Sequence, residues 1–333
     1  MISFNNFKNK YFKKIDKYLP LRLAQRTLAT ICYKANLAKL PYPPEYLQID
    51  ITGFCNLQCR MCPQGIGGKI KEKGIMDLPL YKHIIDSGKK AGIFSVLLVL
   101  TGEPLLNNNF FNMVRYAKIK GMKVQTSTNC TLLTPEKSKQ IIESGIDEII
   151  LSFDTVKKNL YENYRKGADF DSVFSNIIGF LELRKKLKRN SPFVVMVNLQ
   201  PCIFRASKPR IEEDFMKAFS KYSVWIMPKY FSNWSGIMQN DEEIPYAEEK
   251  IGNARSYKLC ETIYRRLVVS WDAKVLSCCN DFTRGQIMGD LSKQSVMQVW
   301  NGKEFINLRK KLIQRKFAEM PLCKNCGVLW NLQ

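Results

Sequence analysis

Six times along the first two-thirds of the chain, a short apolar, β-branched run gives way to a longer amphipathic stretch. The runs at 47–52, 95–100, 123–127, 148–153, 193–199 and 224–228 read as strands. The stretches at 80–90, 110–120, 135–144 and 170–188 read as helices. A helix crossing over between successive strands makes those strands parallel, so the fold class is α/β. Eight such units would close a (β/α)8 barrel. Six predict a partial (β/α)6 TIM-like barrel over residues 46–240. Residues 1–45 form a basic helical segment before it. From about residue 240 the alternation stops, and 241–333 reads as a small metal-bearing domain with a hairpin around 272–273 and a helix from 296 to about 311.

In the N-terminal segment Phe4, Phe7, Tyr11, Ile15 and Tyr18 recur at helical spacing, with Lys10, Lys13, Lys14 and Lys17 opposite. This helix either lies on an anionic membrane surface, through residues 1–40, or caps the bottom of the barrel. Pro41, Pro43 and Pro44 end it. Lys and Arg number 52 against 30 Asp and Glu, a net charge of +22. Such a surface suits polyanions, but Lys-rich chains carry it without any such partner. The basic cluster at 184–189 reads as a solvated helix end. No apolar run reaches the ~18 residues of a spanning helix, and the first residues lack a signal-peptide core. The expected location is cytoplasmic, peripheral at the inner membrane face if the first helix binds lipid.

Eleven cysteines in such a compartment point to metal or redox chemistry rather than disulfides. Cys32, Cys130 and Cys202 are scattered and read as small buried hydrophobes. Cys55-Asn-Leu-Gln-Cys59-Arg-Met-Cys62 follows the first strand, at the end of the barrel where active sites are built. Three thiolates on a four-iron cube leave one iron open for chemistry, whereas structural sites close their coordination. The alternative is zinc with a remote fourth ligand; the single histidine, His83, lies on an expected helix and is a poor candidate. The second group is Cys260, the Cys278–Cys279 pair, Cys323 and Cys326. Four thiolates without histidine fit zinc or an iron–sulfur cluster with no open iron.

The first group resembles the radical S-adenosylmethionine (radical SAM) superfamily, and the likeness continues along the chain. Thr101-Gly102-Glu103-Pro104 is similar to the family's Gly-Gly-Glu-Pro, which holds the amino group of the cofactor's methionine moiety. Thr128-Asn129-Cys130 is similar to Thr-Asn-Gly, and Ser152-Phe153-Asp154 with Tyr164-Arg165-Lys166-Gly167 to the segment contacting ribose and carboxylate. Met61 takes the bulky position near the adenine. The resemblance implies a 4Fe–4S cluster on Cys55, Cys59 and Cys62, and SAM held by Met61, Gly102, Glu103, Pro104, Asn129, Ser152 and Arg165. It also implies a flavodoxin or ferredoxin as reductant. The segments SWDAKVLSCCNDFTRGQIMGDL, VMQVWNGKEF and PLCKNCG resemble the short SPASM/twitch extension, which carries auxiliary 4Fe–4S clusters. Here the resemblance implies one auxiliary cluster, on Cys260, Cys278, Cys323 and Cys326, with Cys279 as the alternative to Cys278.

A single fully ligated auxiliary cluster is closest in pattern to the deoxy-scyllo-inosamine dehydrogenase type. That implies a 5′-deoxyadenosyl radical abstracting hydrogen from a small polar substrate, such as a sugar, cyclitol or nucleotide-sugar, with the auxiliary cluster as electron acceptor. Asp281 and Arg284 would be base and substrate anchor, or else simply a hydrogen-bonded turn beside the cluster. Trp225, Tyr230, Phe231 and Trp234 line the mouth or pack inside. The competing enzyme is a maturase of ribosomal precursor peptides, for which some 45 residues before the first strand leave little room. A molybdopterin-pathway cyclase is expected to end in Gly-Gly, unlike Trp330-Asn331-Leu332-Gln333. A zinc or iron–sulfur protein binding nucleic acid would need a basic stripe with interleaved aromatics, which the dispersed Lys and Arg do not make.

Overall fold

The structure, a computed structural model, describes residues 18–65, 70, 72–200, 210–232, 234–235, 237–238, 258–324, 326 and 329. The expectations for residues 1–17, for the boundary near 240, for Cys202 and for the last four residues lie outside these.

Six parallel strands lie side by side in chain order: β1 (Tyr46–Ile49), β2 (Ser95–Leu98), β3 (Lys123–Thr128), β4 (Glu148–Ser152), β5 (Phe193–Gln200) and β6 (Trp225–Tyr230). The crossovers are α2 (Leu78–Lys90), α3 (Phe110–Ile119), α4 (Pro135–Glu143), α5 (Lys158–Tyr164) with α6 (Phe170–Lys186), and α7 (Glu213–Phe219). Side-chain caps start several of them: Asp77, Thr134 and Asp169 accept from Leu80, Lys137 and Ser172 backbone N–H. One face of each of β1–β5 packs under the helices. Leu47, Ile49, Val96, Leu98, Val124, Ile149, Leu151, Val194 and Met196 are all but inaccessible there. The other face, with Gln48, Ser127, Ser152 and Val197, lines the barrel interior.

The sheet does not stop at β1. The C-terminal segment returns through α8 (Thr262–Arg265) to β7 (Arg266–Val269), which pairs in parallel with β1. β8 (Lys274–Leu276) and β9 (Ile287–Asp290) extend the sheet antiparallel, giving nine strands in the order β6-β5-β4-β3-β2-β1-β7-β8-β9. The expected hairpin is the β7–β8 turn. The expected helix from 296 is two, α9 (Val296–Trp300) and α10 (Lys303–Ile313). The break falls at Asn301-Gly302, where Gly302 turns extended and the Asn301 side chain accepts from Leu40 N–H at 2.9 Å and donates to Leu40 C=O at 2.8 Å. The 184–189 cluster is also not wholly solvated: Arg184 is buried and donates to the carbonyls of Ser223 and Asn190, both at 3.1 Å.

α1 (Leu19–Lys34) covers the bottom of the barrel. Tyr18 stacks on Phe94 just before β2, Gln25 donates to the carbonyls of Pro43 and Pro44 just before β1, and Tyr33 donates to Leu259 C=O at 2.8 Å. Its opposite side presents Leu19, Leu21, Leu23, Leu28 and Ile31, each 36–56% exposed. Among the described residues no helix is long and apolar enough to cross a membrane.

Arg309 ties the C-terminal helices to the rest. It is fully buried, lies 4.3 Å over the Trp300 ring, and donates to the carbonyls of Ile263, Ala38 and Trp300 at 3.1, 3.1 and 2.9 Å. Truncation leaves three buried carbonyls without their donor. Arg309→Ala should therefore lose about 3 kcal/mol or more of stability, read as a lower denaturant midpoint with unchanged slope.

Candidate active site

A cavity of about 390 Å³ opens at the C-terminal ends of β1–β5 and is lined by Cys55, Cys59 and Cys62 together with Glu103, Asn129, Ser152, Arg165, Trp234, Arg266 and Cys279. The thiols sit on an irregular loop after β1, held by backbone pairings to three other segments. Gly53 N–H donates to Gly74 C=O at 2.8 Å, Glu103 N–H to Phe54 C=O at 2.9 Å, Gln58 N–H to Lys166 C=O at 2.9 Å and Arg60 N–H to Tyr164 C=O at 2.9 Å. Trp234 Nε1 donates to Met61 C=O at 2.8 Å, and its ring meets Phe282 edge-on. Phe231 packs edge-on against Tyr164. Burial pushes the Cys59 thiol up to about 12, so a thiolate there needs the positive charge of a metal.

The segment after β2 lies backbone to backbone against this loop. A Cβ at Gly102 would stand 2.1 Å from the Thr52 carbonyl oxygen and 2.4 Å from that of Phe54, so only glycine permits the approach. Glu103 accepts from Thr128 Oγ1 at 2.8 Å, Asn129 N–H at 2.8 Å and Leu105 N–H at 3.2 Å. Burial raises its pKa, while the Asn129 and Thr128 donors pull the other way. A carboxylate takes about four hydrogen bonds, so one lone pair remains for an ammonium. Pro104 opens a short 3-10 turn under it. Asn129 Nδ2 donates to Asn56 Oδ1 at 2.9 Å and weakly to Cys55 Sγ at 3.8 Å. Cys130 has φ of 67°, which explains why a glycine would suit this turn.

After β4, Ser152 Oγ lies 3.2 Å from Ser127 Oγ. Asp154, fully buried, takes Arg165 bidentately, Nε at 2.6 Å and Nη2 at 2.8 Å. The Asp154 charge keeps the Arg165 pKa above its ordinary value in spite of burial. Asp154, Gln48, Phe282 and Arg266 had not been singled out as site residues from the sequence, whereas Trp234, expected at the mouth or inside, lines the cavity. Asp154 lay in a segment already noticed; Arg266 carried no local signal. His83 is exposed on α2, with its Nε2 3.1 Å from the Leu291 carbonyl oxygen.

The second thiol group lies behind this cavity. Cys260 precedes α8, Cys278 follows β8, and Cys323 and Cys326 lie in and after α11 (Pro321–Lys324). Burial first pushes these thiols up, Cys260 to about 11 and Cys323 to about 12, with the charge of Cys326 adding to both; on Cys278 burial is followed by the charge of the adjacent Cys279 and then of Cys323 and Cys260. Cys279 faces the other way, into the cavity beside Arg266. The ten described cysteines are free thiols. Among the described residues no three Cys, His, Asp or Glu side chains close on one point as around a single ion; thiolates on different irons of a cube ask for wider spacing. Asp281 and Arg284 stand outside the cavity. Asp281 accepts from Ser277 Oγ at 2.9 Å, Gly285 N–H at 2.8 Å and Gln286 N–H at 3.2 Å. Arg284 pairs with Asp272 at 2.5 Å and Glu72 at 3.0 Å. These are the contacts of a hydrogen-bonded turn.

The radical SAM superfamily model matches residues 49–198, and an iron–sulfur cluster-binding (SPASM) domain model matches 260–327. The tungsten-containing aldehyde ferredoxin oxidoreductase cofactor-modifying protein of Pyrococcus furiosus is 37% identical, over 85% of this chain and 87% of its own. The S-adenosyl-L-methionine-dependent 2-deoxy-scyllo-inosamine dehydrogenase of Niallia circulans is 23% identical, over 84% and 92%. Among solved structures, Streptococcus suis SuiB bound to the precursor peptide SuiA shares the fold, with a TM-score of 0.63 and 14% identity over 90% and 74%. The chain belongs to the radical SAM superfamily. It is a radical SAM enzyme with a C-terminal SPASM domain, and its cofactors are a 4Fe–4S cluster, SAM and auxiliary iron–sulfur.

Thr101, where the family pattern has glycine, has a partner of its own. Its hydroxyl donates to Asp50 Oδ2 at 2.5 Å, and burial pushes the Asp50 carboxyl up to about 7. A carboxyl raised in the folded state contributes stability below its unfolded value of 3.8 and loses it as pH rises toward about 7. Thermal melts of wild type should therefore decline between about pH 4 and 7 more steeply than those of Asp50→Asn. Parallel curves would show that Asp50 does not titrate in this range.

Proposed function

We propose that the protein oxidises a small polar substrate by hydrogen-atom abstraction, with the auxiliary cluster as electron acceptor. The observation that supports this most is the shared cavity: one wall carries Cys55, Cys59 and Cys62, and the other carries Cys279, next to Cys278 of the second thiol group. In this reading Cys55, Cys59 and Cys62 ligate the radical cluster, and Cys260, Cys278, Cys323 and Cys326 the auxiliary one. Glu103 receives the cofactor's ammonium, Gly102 and Pro104 shape its backbone cradle, and Asn129, Ser152 and Arg165 contact its polar groups. Met61 sits against the adenine. When bound, the cluster and SAM would supply radical chemistry able to take hydrogen from a substrate carbon, and the oxidised auxiliary cluster would accept the remaining electron as the hydroxyl proton leaves to solvent and a carbonyl forms. A flavodoxin or ferredoxin returns the electron that starts each turnover. Trp234 and Phe282 wall the cavity and exclude water from the radical. Asp281 and Arg284 take no part in this reading.

About 390 Å³ leaves room beside SAM for little more than the reacting end of the substrate. The test is the iron content of anaerobically purified protein. Wild type should carry about eight irons and a Cys55/Cys59/Cys62→Ala triple variant about four. Four irons with one zinc in the wild type would remove the electron acceptor and with it the oxidation.

The apolar outer side of α1 supports a peripheral contact with an anionic lipid surface. Between residues 17 and 44 there are five Lys or Arg and no Asp or Glu. Flotation with phosphatidylglycerol vesicles at low salt should carry wild type upward and leave a Leu23→Ser/Ile31→Ser variant in the soluble fraction. Wild type remaining soluble would end this part of the proposal.

A further inference from the structure

Two contacts of the C-terminal domain reach the segment that backs the thiol loop. Arg284 pairs with Asp272 at 2.5 Å inside its own domain, and with Glu72 at 3.0 Å outside it. Two residues on, Gly74 lies against the indole of Trp271: a Cβ there would stand 2.2 Å from Cε3, 2.4 Å from Cζ3 and 2.5 Å from Cδ2 of the ring. Trp271 sits in the β7–β8 turn, where Ala273 takes φ of 67° and its N–H donates to Ser270 C=O at 2.9 Å. The Arg284 guanidinium lies 5.3 Å from the centre of the same ring. The segment held in this way is tied directly to the thiol loop. Gly74 C=O accepts from Gly53 N–H at 2.8 Å, Ile75 bridges Thr52, and Met76 N–H donates to Ile51 C=O at 3.0 Å. Gly53 C=O in turn accepts from Gln64 Nε2 at 2.6 Å. Both ends of the loop therefore meet at Gly53, one just before Cys55 and the other just after Cys62.

We propose that Trp271, assisted by Arg284, is a positioning residue for the loop of Cys55, Cys59 and Cys62: the C-terminal domain clamps residues 72–75, and through Gly74 and Gly53 the clamp sets where the three thiols stand. The inference rests on reading those thiols as ligands of the radical cluster, and it gives the C-terminal domain a second task besides carrying its own thiols. Neither Trp271 nor Arg284 lines the cavity, so both act through the loop and not on the substrate. A functional constellation has to be held to within about 0.5 Å by its supporting residues, and a loop without a ladder cannot do this alone. The two contacts are unequal. Glu72 is 70% exposed, and an ion pair to so exposed a partner contributes little. The indole against the Gly74 backbone carries most of the clamp, and the Arg284 cation adds its attraction to the ring.

Amide hydrogen exchange of the anaerobic holoenzyme, read on peptides covering 53–65, tests the clamp. In Trp271→Ala these peptides should exchange about tenfold faster, as the loss of one anchoring aromatic contact allows, while peptides covering β4 and β5 keep their wild-type rates. In Arg284→Gln the rise should be smaller, about twofold. Gly74→Ala disturbs the same contact from the other side, because its methyl collides with the indole, and serves where Trp271→Ala does not fold; it should give the same localised rise. Trp271→Phe, which keeps an aromatic face on Gly74, should stay near wild type. The electron paramagnetic resonance signal of the reduced protein, recorded with and without SAM, is a second readout: its SAM-dependent shift should weaken in Trp271→Ala and return in Trp271→Phe. Exchange at 53–65 unchanged in Trp271→Ala and Gly74→Ala, or a rise spread equally over β4 and β5, would overturn the proposal. Iron measured on the same samples keeps the two readings apart. About eight irons in the wild type upholds the two clusters whatever the exchange does, and a low count removes the radical cluster without altering what exchange says about Trp271.

Discussion

The loop carrying Cys55, Cys59 and Cys62 has no ladder of its own, and the top of the barrel is arranged around holding it still. Ordering such a loop costs on the order of 1–2 kcal/mol per residue in backbone entropy. That cost is met by backbone hydrogen bonds to segments whose positions are set elsewhere: Gly74, Glu103, Tyr164 and Lys166. The 164–166 segment is itself fixed by the buried Asp154–Arg165 pair. A buried ion pair adds little net stability when weighed against apolar packing, but it makes the loss of either partner severe. Here it sets a position: the guanidinium locks the C-terminal end of α5 to the end of β4, and α5 in turn registers the thiol loop.

The same dependence explains the close approach at Gly102. The chain after β2 must pass within hydrogen-bond distance of Phe54 for Glu103 N–H to reach it, and no side chain fits between the two backbones. Once there, Glu103 reaches sideways to Thr128 and Asn129, and Asn129 reaches back to Asn56 and Cys55. The ends of β1, β2 and β3 thereby close a ring of hydrogen bonds around one side of the cavity. Thr101 joins it through Asp50, which places a hydroxyl donor against a carboxyl too buried to ionise easily.

The barrel was legible because its strands, covered by helices on one face, carry β-branched runs separated by amphipathic ones, a signal that repeats locally six times. The motif residues at strand ends were legible for the same reason: each follows a recognisable strand. What escaped depends on contacts with no local trace. β7 pairs with β1 across more than 200 residues of sequence, and nothing in Arg266-Leu-Val-Val269 says which strand it will join. Asn301-Gly302 breaks a helical pattern with a local stop signal, and only the fold shows that the Asn301 amide is spent on Leu40. Arg184 and Arg309 look like solvent-facing cations until the carbonyls they satisfy are known.

The cysteine pair shows this limit most sharply. Cys278 and Cys279 lie in a bend and turn just past β8, so no strand alternation says which of them meets the second thiol group. The turn decides it: Asn280 N–H donates to Cys278 Sγ at 3.3 Å and Asp281 N–H to Cys278 C=O at 3.2 Å. With Cys278 engaged behind, Cys279 is left beside Arg266 in the cavity. One peptide unit therefore separates the cavity from the second thiol group, and the same residue pair brings the Arg266 cation and the Cys279 thiol side by side.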